Sequence, residues 1–284
     1  MRVRGIFLNN LEQLLRRKLI LSGFAIAVGF LLLFSWPLFK GKAALESGVE
    51  QGLGGPADAA IVSMFTAFPM AALAVVGISI ILNSSLLPEE IGSGRMSFWC
   101  SHPVSRASVF IGTTASSLAV TAILGLAIFG GIVTLTMIAF PFRLSNVVEA
   151  AIAFVYWLLV PWAAVTMLSL LVRRTAAIII SFGLYGVAGF LGGLGQLGRF
   201  LEGSLGNAED LIAAGNVGTL IMPVDSAFRA MLHGLTPVGS MMSEPLAFFG
   251  AVEQPDPWKI AYCTLWIAAA LLLSLWRFRS LDLP

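Results

Sequence analysis

Six long stretches of the chain carry no charged residue and consist mainly of apolar residues, with polar segments between them. About 20 apolar residues, each adding ~1.5 Å to a helix, cross the hydrocarbon core of a bilayer. The pattern therefore predicts an all-α integral membrane protein with six transmembrane helices, in which residues 1–284 form a single transmembrane domain. The predicted spans are residues 19–39, 59–87, 107–142, 150–172, 175–198 and 260–276.

The first and last predicted spans need separate arguments. The run after Arg16, Arg17 and Lys18 is too long for the apolar part of a secretory signal, and no small-x-small cleavage site follows it closely. We therefore interpret it as a retained helix. The last run has only 17 residues, but Trp258 and Trp276 bracket it as interfacial aromatic residues do.

Residues 1–18 are too polar to span a membrane but show helical periodicity. Asn10, Glu12 and Gln13 lie opposite the apolar positions of the segment 2–15. This pattern predicts an amphipathic helix along the inner membrane face, with its basic end near the lipid headgroups. A frayed tail is the alternative. The apolar positions are Val3, Ile6, Phe7, Leu11, Leu14 and Leu15.

The longest segment between predicted spans, residues 199–259, is not hydrophilic throughout. Leu211–Val224 and Ala230–Ser243 are apolar stretches of 14 residues each, too short to span. Re-entrant or interfacial segments are typical of that length. Backbone that turns around at membrane depth must be buried in protein or face water, so the loop is predicted to line or cap a pathway. A peripheral flap is the alternative.

Composition supports the membrane assignment and narrows the mechanism. Hydrophobic residues make up 58% of the chain and charged residues 11%, with a mean hydropathy of +0.91, whereas a soluble domain carries roughly a quarter charged residues. The predicted spans hold no charged residue or histidine away from their ends. Proton- or sodium-coupled transporters usually keep such groups near the midplane, so ion coupling is disfavoured, although backbone carbonyls alone can hold sodium.

The basic residues predict the orientation. The segments on the side of the termini hold 11 of the 17 lysines and arginines, which places both termini in the cytoplasm. The net charge of +2 gives no reason to expect a nucleic-acid partner. Cys100 and Cys263 lie on different sides without metal-site spacing, so we predict neither a disulfide, a metal site nor a cofactor on this chain. The inner segments are 1–18, 83–106, 173–174 and 277–284.

No P-loop sequence is present, so an ATP-driven mechanism would need a partner that hydrolyses ATP on the cytoplasmic side. Residues 88–106 form the one inner segment between spans that is large enough to bind such a partner. Pro88 suits the first turn of a helix, and Glu89 and Glu90 favour its N-terminal end. Gly92 and Gly94 would break that helix.

The second half of this segment combines bulky apolar residues with a helix start. Phe98 and Trp99 offer apolar contact of the kind found at protein interfaces, although both could instead be membrane-interface aromatics. Pro103 ends the segment, and Ser105 can cap the third span.

Here the sequence resembles the membrane subunits of type-2 ATP-binding-cassette (ABC) exporters. Their loop after the second helix typically has a glutamate, a glycine four positions later, a Pro-Val-Ser-Arg-like turn and a further glycine. This chain has Glu90, Gly94, the turn 103–106 and Gly112 at those spacings. It departs at Thr113, where the family often has lysine.

The resemblance implies a transporter subunit without catalysis of its own. Two permeases, identical or related, would assemble with two ABC ATPases, which bind the ATP and magnesium, in the inner (plasma) membrane. Hydrolysis would drive export. The 20 phenylalanines and the absence of charge in the middle of the spans favour an apolar or amphipathic cargo, such as a drug, lipid or lipopeptide. Residues 88–106 would be the coupling segment, and Arg173 and Arg174 a smaller second contact, unless they only set topology. The implied coupling residues are Glu89, Glu90, Gly94, Phe98, Trp99, Pro103, Ser105 and Arg106, and we expect Glu90 and Arg106 to position the segment by ion pairing.

Three rival interpretations remain open. One is an ion-coupled or channel-like transporter that works without an ATPase. Another is a membrane-embedded enzyme, but we find no constellation of reactive side chains at one membrane face. The two histidines, His102 and His233, are predicted on opposite sides of the membrane and could not act together. The third is metal handling by the outer loop, because sulfur and imidazole suit Cu(I), although methionine also fills apolar segments. The residues concerned are Met222, Met231, His233, Met241 and Met242.

Overall fold

The structure, a computed structural model, describes residues 3–50, 56–92, 105–140, 144, 146–201, 208–235 and 256–281, and nearly all of them are helical. The described helices are α1 (Val3–Leu15), α2 (Lys18–Glu50), α3 (Pro56–Gly92), α4 (Arg106–Ala139), α5 (Val147–Leu171), α6 (Arg174–Phe200), α7 (Ala208–Ile221), α8 (Val224–Leu235) and α9 (Pro257–Ser280).

Helices α2 to α6 and α9 are each long and apolar enough to cross a membrane. The predicted all-α membrane fold with six spanning helices is therefore confirmed. Large apolar side chains cover the outside of the bundle, with Leu33, Leu265 and Ile152 at least 66% exposed, as suits a surface that faces lipid.

Several predicted span boundaries differ from the structure, and helix α2, for example, continues beyond residue 39 to Glu50. Helix α4 ends at Ala139, and Phe140 has extended backbone, because a residue that precedes a proline, here Pro141, disfavours helical backbone. The short last run becomes the 24-residue helix α9, whose polar ends had hidden its length.

The prediction that a new helix begins at Pro88 is wrong. Helix α3 continues through Pro88 to Gly92 and contains Pro69 as well. Leu86, Leu87 and Glu90 are buried on this last part of α3, so packing holds the chain helical where the proline removes one backbone hydrogen bond. Neighbouring helices commonly stabilise prolines within membrane helices in this way. The first residues of the predicted coupling segment are thus the end of the second span.

The core of the bundle is a cluster of aromatic rings between α3, α4 and α5. The ring centroids of Phe68, Phe129 and Phe154 lie 5.4–6.0 Å apart, and Phe154 contacts Trp157 at 5.7 Å. Such pairs stabilise by about 0.5–1.5 kcal/mol beyond the area that they bury. Trp157 extends the cluster to Phe228 of α8, with centroids 5.1 Å apart.

Helices α7 and α8 form a hairpin that enters the bundle and returns at the same end. Their axes are bent by 103° at the break between them. Helix α7 begins beside Gly198 at the end of α6 and runs back along α6 as far as Ala188, a descent of about 15 Å. Helix α8 then rises along α5, and Gly234 contacts Ala150 near the start of that helix. The predicted re-entrant region is confirmed.

The predicted limits of the two re-entrant stretches need correction. Val224 begins the second helix instead of ending the first, because Pro223 breaks the helical hydrogen bonding there. The charged residues Asp225 and Arg229, which had separated the two apolar stretches, lie within α8. Residues 236–243 lie outside the described part of the chain.

Glycines set the distance between α6 and α7. A Cβ atom on Gly215 would lie 2.5 Å from the Cα of Gly195, and one on Gly218 would lie 2.7 Å from Leu191 Cβ. The two backbones are therefore in direct contact, as small residues allow between membrane helices.

The predicted amphipathic helix α1 is present and packs on the bundle. Ile6, Asn10 and Leu14 form its buried face, while Leu8 and Leu15 are 49% and 45% exposed. The placement of Asn10 on the polar face is wrong, because its amide donates to Thr113 Oγ1 of α4 at 2.9 Å. The periodicity of apolar residues could not show this, because Asn10 is a polar residue that is buried against another polar residue, Thr113.

Candidate functional site

Polar contacts at one end of the bundle join five helices; we call this end the terminal face. It comprises α1, the C-terminal ends of α3 and α9, and the N-terminal ends of α4 and α6. We call the other end, where α7 and α8 enter, the distal face. The two ends of the described chain, residues 3 and 281, lie at the terminal face, as six spans require.

Glu89, near the end of α3, is the centre of an ion-pair cluster at the terminal face. Arg17 Nη1 donates to its Oε2 at 3.0 Å, and Arg174 Nη1 donates to its Oε1 at 3.1 Å. Glu89 therefore ties α3 both to the turn before α2 and to the start of α6. The three side chains are 26–50% exposed, so each pair adds only about 0–1 kcal/mol. The cluster fixes geometry more than it stabilises the fold.

Arg106, which we expected to act together with Glu90, connects two helices at the terminal face. Arg106, the first residue of α4, donates through Nη1 to the backbone oxygens of Arg279 at 3.1 Å and Leu281 at 2.8 Å. These bonds tie α4 to the end of α9. Glu90, on the other flank of residues 93–104, is buried at 4% exposure. Glu89, the residue before Glu90, makes ion pairs with Arg17 and Arg174 that the sequence had not led us to expect.

Ser105 caps α4 as predicted. Its hydroxyl accepts from the backbone N–H of Ser108 at 3.2 Å, and its own backbone is extended. Gly112 and Thr113, one turn further along, form the seat for α1: a Cβ on Gly112 would lie 2.9 Å from Ile6 Cγ2, and Thr113 accepts from Asn10. Gly112, the last glycine of the motif, thus leaves the space in which α1 packs against α4.

We expect Gly112→Val to displace α1. The branched side chain would occupy the space of Ile6, so the N-terminal helix should detach and trypsin should cleave more readily at Arg16 and Arg17. The matched control is Gly130→Val on the same helix, where a Cβ meets nothing within 4 Å. Equal cleavage of both variants would contradict this role for Gly112.

The remaining predicted coupling residues divide into two groups. Arg173 is exposed at the N-cap of α6 and makes no side-chain cap bond. Arg174 pairs with Glu89, so one residue of the predicted second contact touches the predicted coupling segment. Four residues lie outside the described part of the chain, namely Gly94, Phe98, Trp99 and Pro103.

A cavity of about 350 Å³ lies between α3, α5, α6 and α8, beside the re-entrant hairpin. Its walls are mainly aromatic side chains and glycines. It opens along α6, where Gly186, Gly189 and Gly193 have no atom within 4 Å of an added Cβ. The lining residues are Pro69, Leu73, Trp157, Phe182, Tyr185, Gly186, Gly189, Phe190, Gly193, Gln196, Val224, Asp225 and Phe228.

One end of the cavity is polar. Gln196 Nε2 donates to Asp225 Oδ1 at 2.8 Å, and Arg229 Nη2 lies 2.8 Å from Asp225 Oδ2. Asp225 and Arg229 are 8% and 4% exposed. Arg229 Nε and Nη2 donate no hydrogen bond to any described residue, so the ion pair rests on charge attraction without hydrogen-bond geometry.

Arg229 also acts on the distal face. A hydrogen bond from Lys259 Nζ to Asp256 Oδ2, at 2.9 Å, and the Lys259 charge lower the pKa of the Asp256 carboxyl. The slight burial of Asp256 opposes this effect, and the charges of Arg229 and Arg199 add to it. The field of Arg229 thus reaches Asp256 at the surface as well as Asp225 inside.

Sequence reasoning missed the Asp225–Arg229 pair because it treated charged residues as the ends of apolar stretches. The signal was present: an acid and a base four residues apart, directly after a proline, within an apolar region. The outer-loop methionines are accounted for by packing where the structure describes them, since Met222 and Met231 are fully buried.

Comparison of the sequence with models of known protein families and with curated proteins finds no match.

Proposed function

We propose that the chain is the membrane subunit of an ABC exporter and that it forms the substrate pathway. ATP hydrolysis on a separate subunit would drive its conformational change. The supporting observation is the way both flanks of residues 93–104 are tied to the bundle. On one flank Glu89 joins α3 to α2 and α6. On the other flank Ser105 caps α4 and Arg106 joins it to α9.

A partner that pushes on residues 93–104 would therefore move five spanning helices together. A coupling segment needs contacts of this kind on both flanks, because a flank without contacts to the other helices would absorb the displacement. The motif of Glu90, Gly94, residues 103–106 and Gly112 lies across the same region. In this proposal the terminal face is cytoplasmic, and the membrane is the inner (plasma) membrane.

A second permease chain completes the proposed assembly. The open side of the cavity is lined by the exposed glycines of α6, and glycines at helical spacing let membrane helices approach closely. In the proposed complex this side faces the other permease, identical or related, and two ATPases bind the terminal faces.

We expect Phe98→Ala/Trp99→Ala to abolish co-purification with the ABC ATPase encoded beside this chain. Removing two large aromatics from an interface typically eliminates its main contacts. The matched control is Trp258→Ala, which removes an exposed aromatic from the distal face. Retention of the ATPase by the double variant would remove residues 93–104 from the interface, and failure of the wild type to bind it would overturn the proposed function.

One observation favours the alternative, an ion-coupled or channel-like transporter. Ionisable residues buried at membrane depth often lie on ion pathways, and Asp225 and Arg229 are such residues. Flux through the purified chain in liposomes, without ATP or a partner, would favour this alternative.

A further inference from the structure

The cavity beside the re-entrant hairpin combines features that select a particular ligand. Five of its lining residues are aromatic: Trp157, Phe182, Tyr185, Phe190 and Phe228. Asp225 is the only charged residue among the described residues of its lining. The cavity is therefore an apolar, π-rich space with one carboxylate at its end.

Part of the hydrogen-bonding capacity of that carboxylate is unused among the described residues, although Arg229 pairs with its charge at 2.8 Å. Asp225 Oδ1 accepts one hydrogen bond, from Gln196, although a carboxylate oxygen can accept two. Oδ2 faces Arg229 without hydrogen-bond geometry. Arg229 does not line the cavity, so a ligand inside would contact the carboxylate while the guanidinium remains behind it.

We propose that this cavity binds a lipophilic organic cation, with its apolar groups among the aromatic rings and its positive charge directed at Asp225. Aromatic faces attract cations, most strongly where water is excluded. The same surroundings repel an anion, since both the ring faces and the carboxylate are negative. The volume of about 350 Å³ falls within the range typical of sites for small organic molecules.

The opening of the cavity agrees with this class of ligand. Its exposed side, along Gly186, Gly189, Phe190 and Gly193, lies on the apolar surface of a spanning helix. A lipophilic cation partitions into the bilayer and could enter the chain alone laterally from there. In the proposed complex the same side opens toward the second permease. That this ligand is the exported cargo rests on the proposed function, whereas the binding itself does not.

The test compares two ions of the same shape and opposite charge, tetraphenylphosphonium and tetraphenylborate. Saturable binding of each radiolabelled ion to the purified full chain in nanodiscs is measured against empty nanodiscs. We expect saturable binding of the cation at least about tenfold tighter than that of the anion, equivalent to about 1.4 kcal/mol. Equal binding of the two ions, or no saturable binding of the cation, would overturn the proposal.

Variants locate the site. Asp225→Asn should weaken cation binding about tenfold or more, but it leaves Arg229 as an uncompensated buried charge and can prevent folding. Asp225→Asn/Arg229→Gln removes both charges together, and in this variant the preference for the cation should vanish. A double variant that elutes as a single folded species and still prefers the cation would contradict the role of Asp225.

An aromatic substitution supplies an independent check. Phe190→Ala should weaken cation binding several-fold, whereas Phe39→Ala, an exposed phenylalanine on α2 outside the cavity lining, should not. The proposal would be wrong if the two variants bound alike.

Failure of this proposal and failure of the proposed function are distinguishable. Binding to the chain alone requires no ATPase, so loss of ATPase co-purification with intact cation binding would overturn only the transporter assignment. Intact co-purification without cation binding would overturn only the ligand.

Discussion

Replacing Gly215 with alanine is expected to lower the melting temperature of the protein by about 2–5 °C, because the re-entrant hairpin can no longer pack closely on α6. The added Cβ would lie 2.5 Å from the Cα of Gly195, a backbone atom. No side-chain rotation relieves such a contact, so the helices must separate. Overpacking of this kind typically destabilises by about 1–3 kcal/mol.

The matched control is Gly186→Ala on the open side of α6, where an added Cβ has no atom within 4 Å. This variant should melt at the wild-type temperature or above it, since alanine favours helix over glycine. Thermal unfolding of the detergent-purified variants, followed by size-exclusion chromatography after heating, measures both. If Gly215→Ala and Gly186→Ala melted together, the close α6–α7 contact would not exist in the folded protein.

These two glycines show what sequence reasoning could and could not predict. Hydropathy alone predicted six spans and a re-entrant region. A helix that crosses lipid must be apolar over a fixed length, and both properties can be read directly from the sequence. Hydropathy treats Gly186 and Gly215 alike, however. Only the three-dimensional arrangement shows that one faces open space and the other a backbone.

The candidate sites were predictable to different degrees. Ser105 could be predicted as an N-cap because capping depends on local backbone geometry. The contacts of Glu89 and Arg106 could not, since they join residues 72 to 175 positions apart. The cavity was also beyond prediction, because its walls come from four helices. Its polar end depends on a buried ion pair that sequence reasoning had placed between two apolar stretches.

If the chain is the ABC exporter subunit that we propose, reversing the charge of Glu89 is expected to reduce ATP-driven transport on the order of tenfold, a typical size for a coupling between two sites. In Glu89→Arg two attractive pairs are lost and three guanidinium groups meet at the terminal face. The end of α3 should then separate from the start of α6. The global melting temperature should change little, because exposed pairs add little to stability.

The control is Glu12→Arg, which also removes an exposed pair at the terminal face, with Arg16, but joins no two spanning helices. ATPase activity and transport by the reconstituted complex should be near normal in this variant. Glu89→Arg/Arg174→Glu restores one pair with its charges exchanged, so it should recover part of the lost coupling. If Glu89→Arg transported normally, or if the exchanged pair restored nothing, the Glu89 cluster would not transmit force between α3 and α6. Loss of transport with an unchanged melting temperature would show that the Glu89 cluster transmits force and does not merely stabilise the fold. A merely structural contact would lower both transport and the melting temperature.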